Sequence, residues 1–458
     1  MTSIEQFGYR QELQRSLSFA DLMIYGLIFM VPIAPFGIFG GVFAGSGGMV
    51  ALAYIIGLVA MAFSGLSYAQ MARAFPMAGS VYTYAGRGIG APVGFLAGWM
   101  ILLDYVLVPS LLYLVAGTAM HSFIGVVPIW AWIAIFVLLN TVVNYLGIEM
   151  TAKVNRVMLV AELVVLAIFL VVGAVALAQG KATAGALTPL YDSSTFSWGL
   201  VLTAASLAVL SFLGFDGIST LAEENREDAR RLGRSMVAAL SVAAVLFVVQ
   251  TWVAALLVPD RAALLAPQPE QAKLDNAFYD LSSYAGGPWL AILTAVATAV
   301  AWGFANSMVA QAATSRLLFA MARDGQLPAF LARVDPRRKV PTNATIAVAV
   351  LSLAIGVGMS LYDKGITFLG SMVNFGAMTA FLLLHVSVVI HYVVRQRSRD
   401  WVNHLIVPVI GFVVLILVVI NAQVNAQTLG FVWMGLGLVA IAVLYAMGRK
   451  PTLPSEVS

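Results

Sequence analysis

The sequence predicts an all-α integral membrane protein with twelve transmembrane helices, and three observations carry that expectation. The 458 residues are 61% hydrophobic and only 10% charged, where soluble proteins run roughly 45–50% apolar and about 25% charged. Twelve apolar runs of spanning length are set off by charged or Gly/Pro-containing turns, at 19–45, 49–72, 91–120, 128–148, 153–178, 198–222, 234–258, 287–321, 342–361, 366–393, 402–421 and 428–447. With the N-terminus inside, all but four of the 25 Lys and Arg residues (Lys181, Arg261, Lys273 and Lys364) fall in inner segments. That asymmetry places both termini in the cytoplasm and the chain in the cell (inner) membrane, in contact with lipid. The formal charge of +4 sits in short loops and not on a soluble face, so it excludes nucleic acid as a partner. No cysteine is present, so disulfides and thiolate metal sites are excluded.

Residues 1–18 form a polar cytoplasmic tail without the basic start, apolar run and cleavage site of a secretory leader. The first run is long enough to span, yet Pro32, Pro35, Gly37, Gly40 and Gly41 interrupt it near mid-depth. Irregular backbone in a bilayer survives only where protein buries it or it lines a cavity, so Pro32, Ile33, Ala34, Pro35, Phe36 and Gly37 are candidate binding residues. In the third run, Asp104 lies deep in an apolar helix, where a bare carboxylate costs a few kcal/mol unless paired. It can attract an amine, with the Tyr105 ring and hydroxyl beside it, or it can partner a helix-end amide.

Glu162 stands alone among apolar neighbours of the fifth run. Burial penalises the charged form of a carboxyl, which makes it the candidate proton-coupling group; His385 in the tenth run is second. The sixth run carries another break, Ser211 to Thr220, where Gly214 and Gly217 surround Asp216. There Asp216 can favour a cation or cap the second half-helix, and Phe212 and Phe215 are candidate stacking residues. Breaks in the first and sixth helices, five apart, are the sequence signature of a site formed between two inverted repeats. Glu223, Glu224, Glu227 and Asp228 ahead of Arg230, Arg231 and Arg234 read as a solvated helix face with charges three and four apart. Asn306, Gln311 and Asn374 are weaker candidates that also serve as interhelical glue. Trp130, Trp132, Trp198, Trp289, Trp401 and Trp433 are expected as interfacial anchors. No metal-ligand spacing, cofactor loop or catalytic motif occurs, and an enzyme is not expected.

Four stretches carry a resemblance: FPMAGSVYTYAGRGIG (Phe75–Gly90), GWMILLDYVLVP (Gly98–Pro109), SFLGFDGISTLAEE (Ser211–Glu224) and SRLLFAMARDGQLP (Ser315–Pro328). On these the chain resembles the amino acid, polyamine and organocation transporter superfamily, and within it the bacterial putrescine importer group. The resemblance implies a five-plus-five inverted repeat over 19–393, two additional helices over 394–447, a cytoplasmic tail over 448–458, and proton-coupled uptake by alternating access. The expected substrate is a small organic amine, such as a polyamine or a cationic amino acid, or alternatively a neutral amino acid. Asp104 matches an acidic position of the cationic amino acid transporters, and the Glu162 position often carries Lys in related proteins. Family members that carry amino acids hold the substrate carboxylate on free amides of a Gly-Ser-Gly turn. Here Pro32 and Pro35 remove two of those donors.

Overall fold

The computed structural model describes residues 4–362, 364–420, 424–447 and 453. The expected C-terminal tail, with Arg449 and Lys450, otherwise lies outside the described residues. Every element is helical, and among the described residues the only β-pairing is an isolated bridge between Leu17 and Asn225. Ten helices are long and apolar enough to cross a membrane, and eleven if the bent pair α1 (Phe19–Met30) and α2 (Pro35–Gly45) is one span. The run at 128–148 yields a helix of 17 residues, α6 (Ile129–Tyr145), because Pro128 stands before it and Gly147, at φ 115°, follows it.

α1 begins with a capping box, Ser18 with Asp21, and ends at Val31, whose φ of 54° is strained for a β-branched residue. The chain then turns through Pro32 to Ala34 into α2, 53° away from the axis of α1. α3 (Val50–Ala74), α4 (Ser80–Gly88), α5 (Ala91–Phe123) and α7 (Ile148–Ala178) complete the first half. α8 (Trp198–Ala208) runs into a 3₁₀ turn, Val209–Phe212, and stops at Leu213 and Gly214; a second 3₁₀ segment, Phe215–Glu224, follows. Gly214 has φ 116°, and a Cβ there would stand 2.8 Å from the Phe29 ring, so the two breaks pack directly on one another.

α9 (Ala229–Ala255) leads to an excursion with the short α10 (Arg261–Leu264) and α11 (Gln271–Gly286). α11 lies on α2: Phe278 stacks on Phe36 at 4.0 Å between centroids, and Phe169 of α7 joins the cluster. α12 (Pro288–Val300) passes through a π-helical turn, Ala301–Asn306, into α13 (Ser307–Arg323). α14 (Thr342–Ser360), α15 (Gly365–Val388), α16 (Val407–Ile420) and α17 (Val424–Ala446) follow. Trp130, Trp198, Trp289 and Trp401 are exposed near helix ends, whereas Trp433 is stacked on Trp99 at 4.5 Å. The two indoles exchange N–H···O hydrogen bonds with each other's backbone at 2.9 Å, which pins α17 to α5.

Candidate functional site

The two breaks, α5, α15 and the π-helical turn enclose a cavity of about 70 Å³, room for a few waters. Its walls include Phe29, Met30, Val31 and Ala34 of the first break, Asp104 and Val108 of α5, and Leu210 to Gly214 of the second break, apart from Phe212. Trp302, Asn306 and Val373 close it.

Asp104 is the single charged side chain in these walls. It is 4% exposed, and among the described residues its carboxylate forms neither a hydrogen bond nor an ion pair. A carboxylate so placed favours a cationic guest. The last turn of α1 adds to this: among the described residues the Phe29 and Met30 carbonyls lack i+4 amide partners, because the Ala34 amide turns back to Val31 O at 2.8 Å and Ile33 N–H makes no backbone bond. A helix C-terminus with free carbonyls attracts positive charge.

The same break is poor in donors. Pro32 and Pro35 have none, the Phe36 amide bonds Ile33 O at 2.9 Å, and the Gly37 amide bonds Ala34 O at 3.2 Å. Pro32 O is itself taken by Gln250 Nε2 at 2.9 Å.

Of the residues singled out from sequence, Ala34, Asp104, Gly214 and Asn306 line the cavity and the others stand around it. Phe36 belongs to the cluster under α11, and Gly37 faces the Trp302 ring. Phe212 packs on Tyr54 and Phe247, and Phe215 on Tyr68 and Phe381. Asp216 sits one layer behind the wall, accepting from Tyr105 Oη at 2.7 Å, Gly214 N at 3.2 Å and Tyr68 Oη at 3.5 Å. It thereby ties α5, α3 and the second break together.

Glu162 is buried in α7, and neither carboxylate oxygen has a hydrogen-bond partner among the described residues. His385 is held by Ser67 Oγ at 2.9 Å and Ser64 Oγ at 3.3 Å. Gln311 bonds Asn144 and Thr141 of α6, and Asn374 bonds Ser206 O. The Asn306 side chain makes no hydrogen bond among the described residues and lines the cavity. Trp302 and Ser211 complete the walls; the sequence reading gave neither a role in binding, since an indole or a hydroxyl in a long apolar run shows no preference for one helix face.

The basic end of the bundle is shut. Glu224 makes a bidentate, buried ion pair with Arg316, at 2.5 and 2.7 Å, and Glu223 pairs with Arg323 and accepts from Ala78 N. These two glutamates are buried, not on the solvated face expected from their spacing, because their partners come from α13. Glu227 and Arg231 do form the expected i, i+4 pair. The segment ahead of α1 docks across this end. Ser16 and Leu17 amides bond Glu224 O at 3.1 and 3.0 Å, and Arg226 N bonds Leu17 O. Tyr9 and Tyr82 hydroxyls both donate to Asp324, at 2.9 and 2.8 Å; burial holds that carboxyl above the usual carboxylate range.

Fold and cavity together define a polytopic helical membrane protein closed around a small central chamber. The chain belongs to the amino acid permease family, whose model matches residues 18–446; its members are transporters, and this chain is a permease and not an enzyme. It is 28% identical to the low-affinity putrescine importer PlaP of Escherichia coli K12, over 96% of both chains. It is 26% identical to the branched-chain amino acid permease BcaP of Bacillus subtilis, over 95% of this chain and 94% of that one. The vacuolar cationic amino acid transporter 4 of Arabidopsis thaliana is 29% identical over 83% of this chain and 63% of its own length.

Proposed function

We propose that this permease is an inner-membrane, proton-coupled importer of a small organic amine, working by alternating access. The observation that carries the reading is the unpaired Asp104 carboxylate in the wall of an otherwise uncharged cavity, beside a helix break where, among the described residues, the Phe29 and Met30 carbonyls accept no hydrogen bond and Ile33 alone keeps an unbonded amide. A cation gains from both features. An α-carboxylate finds no comparable cradle there, which ranks neutral amino acids second even though BcaP is named a branched-chain amino acid permease. PlaP and the plant transporter are named for cationic substrates, in keeping with this choice.

Glu162, buried without a partner, would carry the coupling proton. Asp216, Tyr105 and the Pro32–Gly37 backbone would shape the site from behind, and Phe212, Phe215 and Phe36 would support the two broken helices. Twelve spans follow if α1 and α2 form one and α6 another. The interruptions five spans apart then fit an inverted repeat over 19–393 with two added helices over 394–447. The basic loops support a cytoplasmic position for the end closed by Glu224 and Arg316.

Thermal stabilisation of the purified protein by a panel of amines and amino acids tests the reading, because a ligand that binds only the folded state raises its apparent stability. Stabilisation by amines, lost in Asp104→Asn, is the expected result. Stabilisation by α-amino acids alone would reject it.

A further inference from the structure

We propose that the cavity selects compounds with a single ammonium group on an apolar body over both diamines and α-amino acids. This rests on the amine reading above and narrows it.

The cavity has one cationic pole. Asp104 is its only charged wall residue, and the free carbonyls of Phe29 and Met30 lie at the same end: Phe29 packs on Gly214, Gly214 N bonds Asp216, and Asp216 is bonded by Tyr105, the neighbour of Asp104. Asp216, the other carboxylate of this region, is outside the wall, with its oxygens held by the Gly214 amide and the Tyr105 and Tyr68 hydroxyls.

The opposite pole is neutral. Along α5 the walls run from Asp104 through Val108 to Leu111 and Leu112, eight residues or about 12 Å at roughly 1.5 Å per residue. Two contacts align α13 with this axis. Thr314 Oγ1 donates to Tyr105 O, next to Asp104. The Asn140 amide oxygen accepts from both Tyr113 Oη and Ser307 Oγ, which sets Asn306 level with Leu112. The far end therefore presents the amide of Asn306, which has no hydrogen-bond partner, and apolar side chains.

A second ammonium placed there would leave water without an anion to receive it. A methyl group would be buried favourably, and a hydroxyl would satisfy the Asn306 amide. An α-carboxylate beside the ammonium would instead face the like charge of Asp104.

Three compounds with the same number of heavy atoms separate these cases: n-pentylamine, 4-amino-1-butanol and putrescine, with L-leucine as the amino acid. Their dissociation constants for the detergent-purified full chain are measured by calorimetry at neutral pH. The expected order has n-pentylamine and 4-amino-1-butanol at least tenfold tighter than putrescine, with L-leucine weakest. Asn306→Asp, which removes no hydrogen bond and places a carboxylate at the far pole, is expected to bring diamines of four to eight carbons ahead of the monoamines.

Putrescine binding as tightly as n-pentylamine to the unaltered protein would overturn the narrowing and leave the amine reading standing. Binding of L-leucine alone, or of none of the four, would overturn both. The order in the unaltered protein decides by itself if Asn306→Asp does not fold.

Discussion

Replacing Glu224 by Gln should open the basic end of the bundle. Its carboxylate and the Arg316 guanidinium are both buried and joined by two short hydrogen bonds. Removing one partner of such a pair leaves an uncompensated buried charge, at a cost of about 3–5 kcal/mol. Arg316 keeps its bond to Ala312 O at 3.0 Å and one neutral acceptor, the glutamine oxygen, neither of which carries a compensating charge while this end stays closed. Opening lets water reach the guanidinium, and the substitution therefore biases the protein toward the open form. At about 1.4 kcal/mol per tenfold, the population of cavities open to water should rise by roughly 10²- to 10³-fold. The chain has no cysteine, so Val108→Cys in the cavity wall supplies a single thiol. Its labelling rate by a charged, water-soluble reagent in detergent reports the opening. Glu224→Gln should accelerate labelling by that factor, and adding Arg316→Met should return most of it. An unchanged rate in a folded Glu224→Gln protein would refute the claim that this pair holds the end shut.

Other outcomes follow from the same structure. Asp21→Asn should cost less than about 1 kcal/mol through its ion pair with Arg156, whose side chain is 57% exposed; urea unfolding in detergent checks it. Tyr105→Phe removes the closest hydrogen bond to buried Asp216 and should cost about 1–3 kcal/mol, with a larger loss of amine affinity than of expression. Gly217→Ala should abolish uptake, since a Cβ would stand 2.5 Å from the Phe29 ring and force the two breaks apart. Glu227 is held below the usual carboxylate range by the Phe19 amide and by Arg231. For a lowered acid the stabilisation is present above its unfolded-state value and lost as pH falls through the folded-state value. Hydrogen exchange of the Phe19 amide should therefore gain relative to its intrinsic rate on acidification below the ordinary carboxylate range, while Glu227→Gln should remove that pH dependence.

Much of this architecture was legible in the chain because the bilayer imposes coarse rules. Pro32 and Pro35 announce the first break, since proline cannot sustain the ladder, and Gly214 marks the second, where a positive φ and the close approach of Phe29 exclude a side chain. Asp104 stood out because an unpaired carboxylate in an apolar helix demands an explanation. The azimuth of each side chain was not legible. Phe212 and Phe215 flank the break in sequence, yet the 3₁₀ geometry turns both into packing layers, and Phe36 is claimed by Phe278 from α11, 242 residues later. Local spacing also misled at Glu223 and Glu224. Their place in a run of acidic residues ahead of Arg230, Arg231 and Arg234 suggested a solvated face, but Arg323 and Arg316 reach them from another element, a pairing that no local pattern contains. Asn306 was a weaker candidate in the sequence, shared with Gln311 and Asn374, and only its place in the wall separates it from them.

The most direct measurement is counterflow in proteoliposomes loaded with unlabelled n-pentylamine or putrescine, following entry of the labelled amine, for the unaltered protein and Asp104→Asn. Counterflow requires a carrier that alternates with its substrate bound. The account predicts transient accumulation with the unaltered protein and none with Asp104→Asn, which should remain folded by thermal unfolding. Equal accumulation in both proteins, or accumulation driven only by α-amino acids, would contradict it.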